Sequence, residues 1–225
     1  MRFLIFGPNG SGKGTQSAFL VKNYQLAHVE SGGIFRQNIK GGTDLGKQAL
    51  LYINKGELVP DTITIPMVLD RLAEDDCKGG FILDGFPRTP NQAQSLIDGL
   101  ETAGTPLDAV IEIKVTRATA RNRLLGRRNC PNGHANNTAI EAIKPKDNNG
   151  TWLCRVCDSQ LTARKDDVDE VAIDQRLDIY FSETVASIEV VGKWAAGKPE
   201  VKVISVDGEG DIGAIRDEIQ ARLND

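Results

Sequence analysis

Phe3-Leu4-Ile5-Phe6-Gly7-Pro8-Asn9-Gly10-Ser11-Gly12-Lys13-Gly14-Thr15 is the stretch on which the fold turns. Four consecutive apolar residues read as a strand buried on both faces. The glycines that follow let the backbone turn tightly and aim N–H groups inward, and a helix starting near Lys13 adds its positive end. Lys13 brings a full charge to terminal phosphates. Gly10, Ser11, Gly12, Lys13, Gly14 and Thr15 are the candidate phosphate-binding residues. Gly14 stands where such loops usually carry Ser or Thr, which leaves the direct hydroxyl–magnesium contact of common loops of this kind open.

Outward from this loop, apolar runs at 27–29, 81–83, 110–115 and 201–206 read as further strands. Helical spacing covers 13–24, 61–75, 91–103, 117–126, 169–195 and 211–223. Strands alternating with helices predict an α/β fold with a parallel five-stranded core sheet flanked by helices. The run 110–115 is interrupted by Glu112 and Lys114, which suggests a place nearer a sheet edge. Two segments break the alternation. Residues 31–59 hold helical patches without a strand, and 128–163 are rich in Asn, Gly, Cys and Pro. Unstructured loops of that length are uncommon inside compact domains, so both read as inserted lobes.

Composition narrows the function classes. The 225 residues carry 27 basic and 31 acidic side chains, a formal charge of -4, which disfavours a general nucleic-acid binder. Aromatic residues are only 5%, too few for a base-stacking platform. No apolar run approaches the ~20 residues of a membrane span. The start has no signal-peptide pattern, so a cytoplasmic protein is expected. The four cysteines are too sparse for a disulfide framework: Cys77 stands alone, and Cys130, Cys154 and Cys157 group with His134.

That group has metal-site spacing. Cys130-x3-His134 and Cys154-x2-Cys157 are separated by nineteen residues, which suits two tight turns facing one tetrahedral ion. All four positions would be filled by protein, so the ion would be structural. Zinc fits best, with cobalt or iron also compatible. Further along the chemistry, Phe81-Ile82-Leu83-Asp84 is an apolar strand ending in a carboxylate. Asp84 would lie beside the phosphate loop and hold magnesium through water.

The loop and the block Asp84-Gly85-Phe86-Pro87-Arg88-Thr89 together resemble the adenylate kinase family. So do Gly56-Glu57-Leu58-Val59-Pro60-Asp61, Gly126-Arg127-Arg128 and Arg164-Lys165-Asp166-Asp167. The blocks occur in the family's order and span nearly the whole chain, and the likeness is to the long form with a metal-binding lid. The resemblance implies a P-loop nucleoside-monophosphate-kinase fold. Its parts would be core at 1–30, AMP-binding lobe at 31–60, core at 61–126, lid at 127–164 and core at 165–225. It implies reversible phosphoryl transfer from ATP to AMP, giving two ADP, with magnesium accompanying ATP and a monomer as the default state.

It also implies residue roles. ATP would be held by Gly10 to Thr15, Arg123, Arg127 and Gly210. AMP would be held by Ser31, Arg36, Gly85, Arg88, Gln92, Arg164, Arg176 and the backbone from Glu57 through Leu58 to Val59. Lys13, Arg88, Arg123, Arg127, Arg164 and Arg176 would be catalytic. Arginines suit the task because phosphoryl transfer is mostly positioning and cationic stabilisation, and a guanidinium grips two oxygens. Arg123 and Arg127 are four apart and would share a helix face if that helix continues through Gly126. Asp166 and Asp167 would pair with arginines or ribose at the lid hinge. The chain departs from the family in three places. Gly33 lacks the usual acid of the acceptor lobe, Gly133 precedes His134 where a second cysteine is common, and no aromatic residue stands near Asn137-Thr138.

Two other readings stay open on the residues alone. One is a kinase for another nucleoside monophosphate. The other is a non-enzymatic zinc-containing nucleotide- or nucleic-acid-binding module.

Overall fold

The computed structural model describes residues 1–163 and 167–225. Its centre is a parallel sheet of β1 (Arg2–Phe6), β2 (Ala27–Glu30), β3 (Phe81–Asp84), β4 (Ala109–Lys114) and β10 (Lys202–Asp207), in the order β10-β4-β1-β3-β2. Ile5 pairs with Asp84 on one side and Ile111 on the other, which fixes the register of the central strands.

Alternation along the strands divides the core into two layers. Leu4, Phe6, Leu83 and Val110 face α4 (Asp61–Leu72), α6 (Pro90–Thr102) and α9 (Val185–Ala196), through Val68, Leu96, Leu100 and Val191. Phe3, Ile5, Ile82, Ile111 and Ile204 face α1 (Lys13–Tyr24) and α10 (Ile212–Asn224), through Leu20, Ile215 and Ile219. Burying each such side chain contributes about 1.5–3 kcal/mol before the ordering cost. The sheet is therefore the rigid element from which the loops at its carboxyl ends are hung.

The first inserted segment folds into α2 (Ser31–Gly41) and α3 (Asp44–Ile53). They approach so closely that a Cβ on Gly46 would lie 2.3 Å from the Asn38 carbonyl oxygen. The second forms β5 (Arg127–Asn129), β6 (Ala135–Asn137), β7 (Lys146–Asn148), β8 (Thr151–Leu153) and β9 (Thr162–Ala163). Strand β5 lies between β6 and β9, and β7 pairs with β8.

The run 110–115 does lie near an edge, since β4 is flanked by the edge strand β10. Its charged residues are accommodated because Glu112 pairs with Lys114 at 3.4 Å on the partly exposed flank. Three sequence expectations change. The helix expected over 61–75 ends at Leu72, and a separate turn of helix, α5 (Asp75–Lys78), follows. The long helix over 169–195 is α8 (Glu170–Ile179) and α9 joined by a π-helical turn, Tyr180–Thr184. The helix α7 (Arg117–Gly126) stops at Gly126, and Arg127 is already extended, at φ -66 and ψ 134. A Cβ on Gly126 would lie 2.4 Å from Asn137 Oδ1, so β6 crowds the helix end and the chain turns away.

Candidate active site and metal cluster

The phosphate loop follows β1 directly. Gly10 has φ +91 and Gly12 has φ +96, backbone that side chains rarely adopt. A Cβ on Gly10 would also sit 2.5 Å from the Ala120 carbonyl oxygen, so α7 packs against the loop only because that residue is glycine. Gly12 caps α1: its carbonyl accepts from the Thr15 and Gln16 N–H groups at 3.0 and 3.1 Å, and the positive end of the helix adjoins the loop. Lys13 Nζ donates to the Pro8 carbonyl at 3.4 Å and lies 3.8 Å from Asp84 Oδ1. Burial pushes the Lys13 ammonium below its ordinary range, and Asp84 opposes that shift. Burial likewise pushes the Asp84 carboxyl up, against the pull of Lys13. Each charge is thus held in place mainly by the other.

The second cluster hangs from β3 and α6. The Gly85 carbonyl accepts from Ser31 Oγ at 2.7 Å and from Arg88 Nε at 2.8 Å, which ties the start of α2 to the arginine. Gly85 has φ +79, and a Cβ there would lie 2.8 Å from Ser31 Oγ. Desolvation lowers the pKa of the Arg88 guanidinium, and Asp84 and Glu30 counteract it. Gln92 is 2% exposed and not a surface residue. Its Oε1 accepts from the Arg88 backbone N–H at 2.8 Å, and its Nε2 donates to Asp61 Oδ1 at 2.6 Å. One hydrogen and one lone pair of the amide remain for a ligand. Arg36 donates to both carboxylate oxygens of Glu30, at 2.8 and 2.7 Å, on the solvent side of the same region. Glu57, Leu58 and Val59 form the loop that leads into α4, and the Val59 carbonyl accepts from Thr64 Oγ1 at 3.1 Å.

A third group joins the lid segment to α8. Asp167, its side chain 1% exposed, accepts from Arg127 at 2.6 Å and from Arg176 at 3.1 Å. Arg127 also contributes to the field at Lys13. Arg176, with Lys13, Gly85, Arg88, Tyr180 and Thr184, lines a cleft above the carboxyl ends of β1 and β3. The π-helical turn places Thr184 there, where its hydroxyl donates to the Arg88 carbonyl at 3.3 Å. Arg123 is set apart from these groups. It donates to the Gly208 carbonyl at 2.8 Å, next to a second cleft lined by Lys114, Val115, Thr116, Asp207 and Glu209. Gly210 ends that loop. Arg123 and Arg127 therefore do not share a helix face. Arg164 and Asp166 lie outside the described residues.

Sequence reasoning assigned no role to Glu30, Asp61 and Thr184. Asp61 stands in the quoted block 56–61, so its position was visible but not its three donors, Thr89, Asn91 and Gln92. Arg121 pairs with Glu170 and Asp174, while Arg117 pairs with Asp174 and Asp178. Both link α7 to α8.

Cys130, His134, Cys154 and Cys157 converge, with their ligand atoms all within 4.8 Å of one another. The measured separations are Cys130 Sγ to Cys157 Sγ 3.5 Å, and His134 Nδ1 to Cys130, Cys154 and Cys157 Sγ 3.6, 3.6 and 3.3 Å. Thiolates about 2.3 Å and an imidazole nitrogen about 2.0 Å from a tetrahedral ion would stand about 3.8 Å (S···S) and about 3.5 Å (S···N) apart. The donor set, two turns of soft ligands converging within 4.8 Å, fits a tetrahedral metal. Left-handed Gly133 (φ +75) and Asp158 (φ +58) close the two turns, and their N–H groups donate back to the Cys130 and Cys154 carbonyls. The Ser159 hydroxyl and the Asn132 amide beside Cys157 hold its thiol down to about 5, which favours the ligating thiolate.

The family model for adenylate kinase matches residues 5–195. A curated adenylate kinase of Nitratidesulfovibrio vulgaris is 53% identical over 228 aligned residues, covering 100% of both chains. One of Desulfotalea psychrophila is 50% identical, covering 98% of each. One of Desulfosudis oleivorans is 49% identical, covering 99% of this chain and 100% of its own.

Proposed function

The chain belongs to the adenylate kinase family and transfers the terminal phosphoryl group of ATP to AMP, giving two ADP, and from that premise we propose how its own residues carry the reaction. The observation that supports the assignment best is the single cleft in which Lys13, Arg88 and Arg176 meet at the carboxyl ends of β1 and β3. Donor phosphates lie in the loop from Gly10 to Thr15, held by backbone N–H groups and by Lys13. Magnesium, when bound with ATP, neutralises phosphate charge, and Asp84 would hold it through water. The AMP phosphate takes Arg88 and Arg36, and its base lies against Ser31, the Glu57–Val59 backbone and Gln92. Arg127 and Arg176, gathered on Asp167, face the oxygens that exchange between the nucleotides, and the family resemblance would give Arg164 the same task. Arg123 serves the ATP side from α7, held against the loop that ends at Gly210 by its bond to the Gly208 carbonyl.

No covalent step is needed. The triphosphate of ATP and the phosphate of AMP repel, and the arginines offset that repulsion most where charge is spread in the in-line transition state. We assign the core to 1–30, 61–126 and 165–225, the AMP lobe to 31–60 and the lid to 127–164. Cys130, His134, Cys154 and Cys157 would hold one structural ion, zinc by ligand chemistry, with cobalt and iron as compatible alternatives. We place the enzyme in the cytoplasm as a monomer, a setting compatible with its four free cysteines.

The test is ADP formation from ATP with AMP, GMP, UMP or CMP under equal conditions. Turnover with AMP at least tenfold above the others is expected. Equal turnover with another monophosphate would contradict the acceptor assignment.

A further inference from the structure

The metal cluster is stitched together by a residue that is not one of its ligands. Asn136, in β6, is 3% exposed. Its Nδ2 donates to the His134 carbonyl at 2.9 Å and to Cys154 Sγ at 3.3 Å. Its Oδ1 accepts from the Arg155 N–H at 3.0 Å. The orientation of the carboxamide is forced, because Arg155 offers only a donor and the His134 carbonyl only an acceptor. One buried side chain thus spans both turns. It touches the ligand His134 through its backbone and the ligand Cys154 through its sulfur, and it fixes the backbone just after Cys154.

We propose that Asn136 is the positioning residue of this cluster, setting how tightly the ion is held by orienting the Cys154 thiolate and locking the two turns at tetrahedral spacing. The proposal rests on the reading that the four residues bind a metal. Three observations carry it. The Asn136 N–H···S contact at 3.3 Å restricts the direction in which the Cys154 sulfur points. Cys154 is itself 0% exposed, so water cannot replace the donor if the amide is lost. The other asparagine of the site is built differently: Asn132 donates to Cys157 Sγ at 3.4 Å but is exposed, so solvent can take over its bond.

The experiment uses the full-length protein with zinc and, separately, cobalt(II) as probes. Zinc affinity is measured by competition with a chromophoric chelator, and the cobalt–thiolate charge-transfer band is recorded. Asn136→Asp keeps the Arg155 contact but turns a carboxylate oxygen toward the Cys154 sulfur. It should weaken zinc binding about 10–100-fold and alter the cobalt band. Asn136→Ala removes the donors without adding charge, so it reads the same role if the Asp variant fails to fold. It should weaken binding at least fivefold. Asn132→Ala should change affinity less than threefold.

Thermal unfolding of the metal-free proteins separates positioning from scaffolding. If Asn136→Ala lowers the metal-free melting temperature but binds zinc within twofold of the unsubstituted protein, with an unchanged cobalt band, the proposal is wrong. If the unsubstituted protein itself binds neither ion, the metal reading fails first, and that result is visible before any variant is made.

Discussion

Asp61 accepts three hydrogen bonds, from Thr89 Oγ1 at 3.1 Å, Asn91 Nδ2 at 2.8 Å and Gln92 Nε2 at 2.6 Å. Only the Gln92 bond involves a buried donor, and that amide passes the order on to the Arg88 backbone. In Asp61→Ala the Gln92 NH2 group loses its partner, which costs about 1–3 kcal/mol for a buried donor. The other two bonds are near solvent and add about 1 kcal/mol together once water replaces the carboxylate. A total of about 2–4 kcal/mol corresponds to a fall in Tm of roughly 4–16 °C for a chain of this size. Asp61→Asn can still turn its one oxygen to Gln92 and release Asn91 to solvent, so its cost should be about 1 kcal/mol. The assay is thermal unfolding together with steady-state kinetics. Gln92 freed to rotate presents the wrong edge to the acceptor part of the time, so KM for AMP should rise about tenfold in Asp61→Ala, equivalent to about 1.4 kcal/mol. KM for ATP should stay within twofold. An alanine variant as stable as the parent, or a loss shared equally by both nucleotides, would refute the proposed relay through Gln92.

Lys13→Met should lower kcat by about 10²–10³ with circular dichroism unchanged, since it removes one preorganised cation from the transferring phosphates; near-normal ADP production by the folded variant would reject the phosphate assignment. Arg88→Ala should weaken AMP binding at least tenfold more than ATP binding, measured by calorimetry, and equal losses would contradict a dedicated acceptor role. Chelation of the lid ion should lower Tm while activity below the new transition largely survives, because no ligand position is left for substrate. A metal-free protein of unchanged Tm would count against a structural ion. Cys77→Ser should leave metal content unchanged, since Cys77 is buried against Arg71, which lies 2.9 Å from its sulfur.

The core was legible because its signal is local. The strands read from apolar runs agree with β1, β2, β3, β4 and β10 to within a residue or two, and α1 and α7 agree at both ends. What failed to show was anything set by contacts across the chain. The stop at Gly126 is imposed by Asn137 and Ala139, not by the helix's own residues. The break at Tyr180–Thr184 has no Pro or Gly to announce it. In the site, the glycine loop, Asp84 and the four metal-site residues could be read from type and spacing, and Arg88 from the family resemblance. The Asp61–Gln92–Arg88 relay and the amide grip of Asn136 could not, since Asn and Gln are common on surfaces and only burial reveals their work.

The antiparallel pairing of β5 with β9 has a consequence for how this chain can vary. Arg128 pairs with Ala163 and Asn129 with Thr162, so the points where the polypeptide leaves the core and comes back are zipped to each other. Everything between them begins and ends on one rigid hem. A segment of another length, grafted at that hem, should leave the sheet register and the phosphate loop as they are. Extra length adds only a slowly growing closure cost. The cassette is exchangeable because its two seams are one seam.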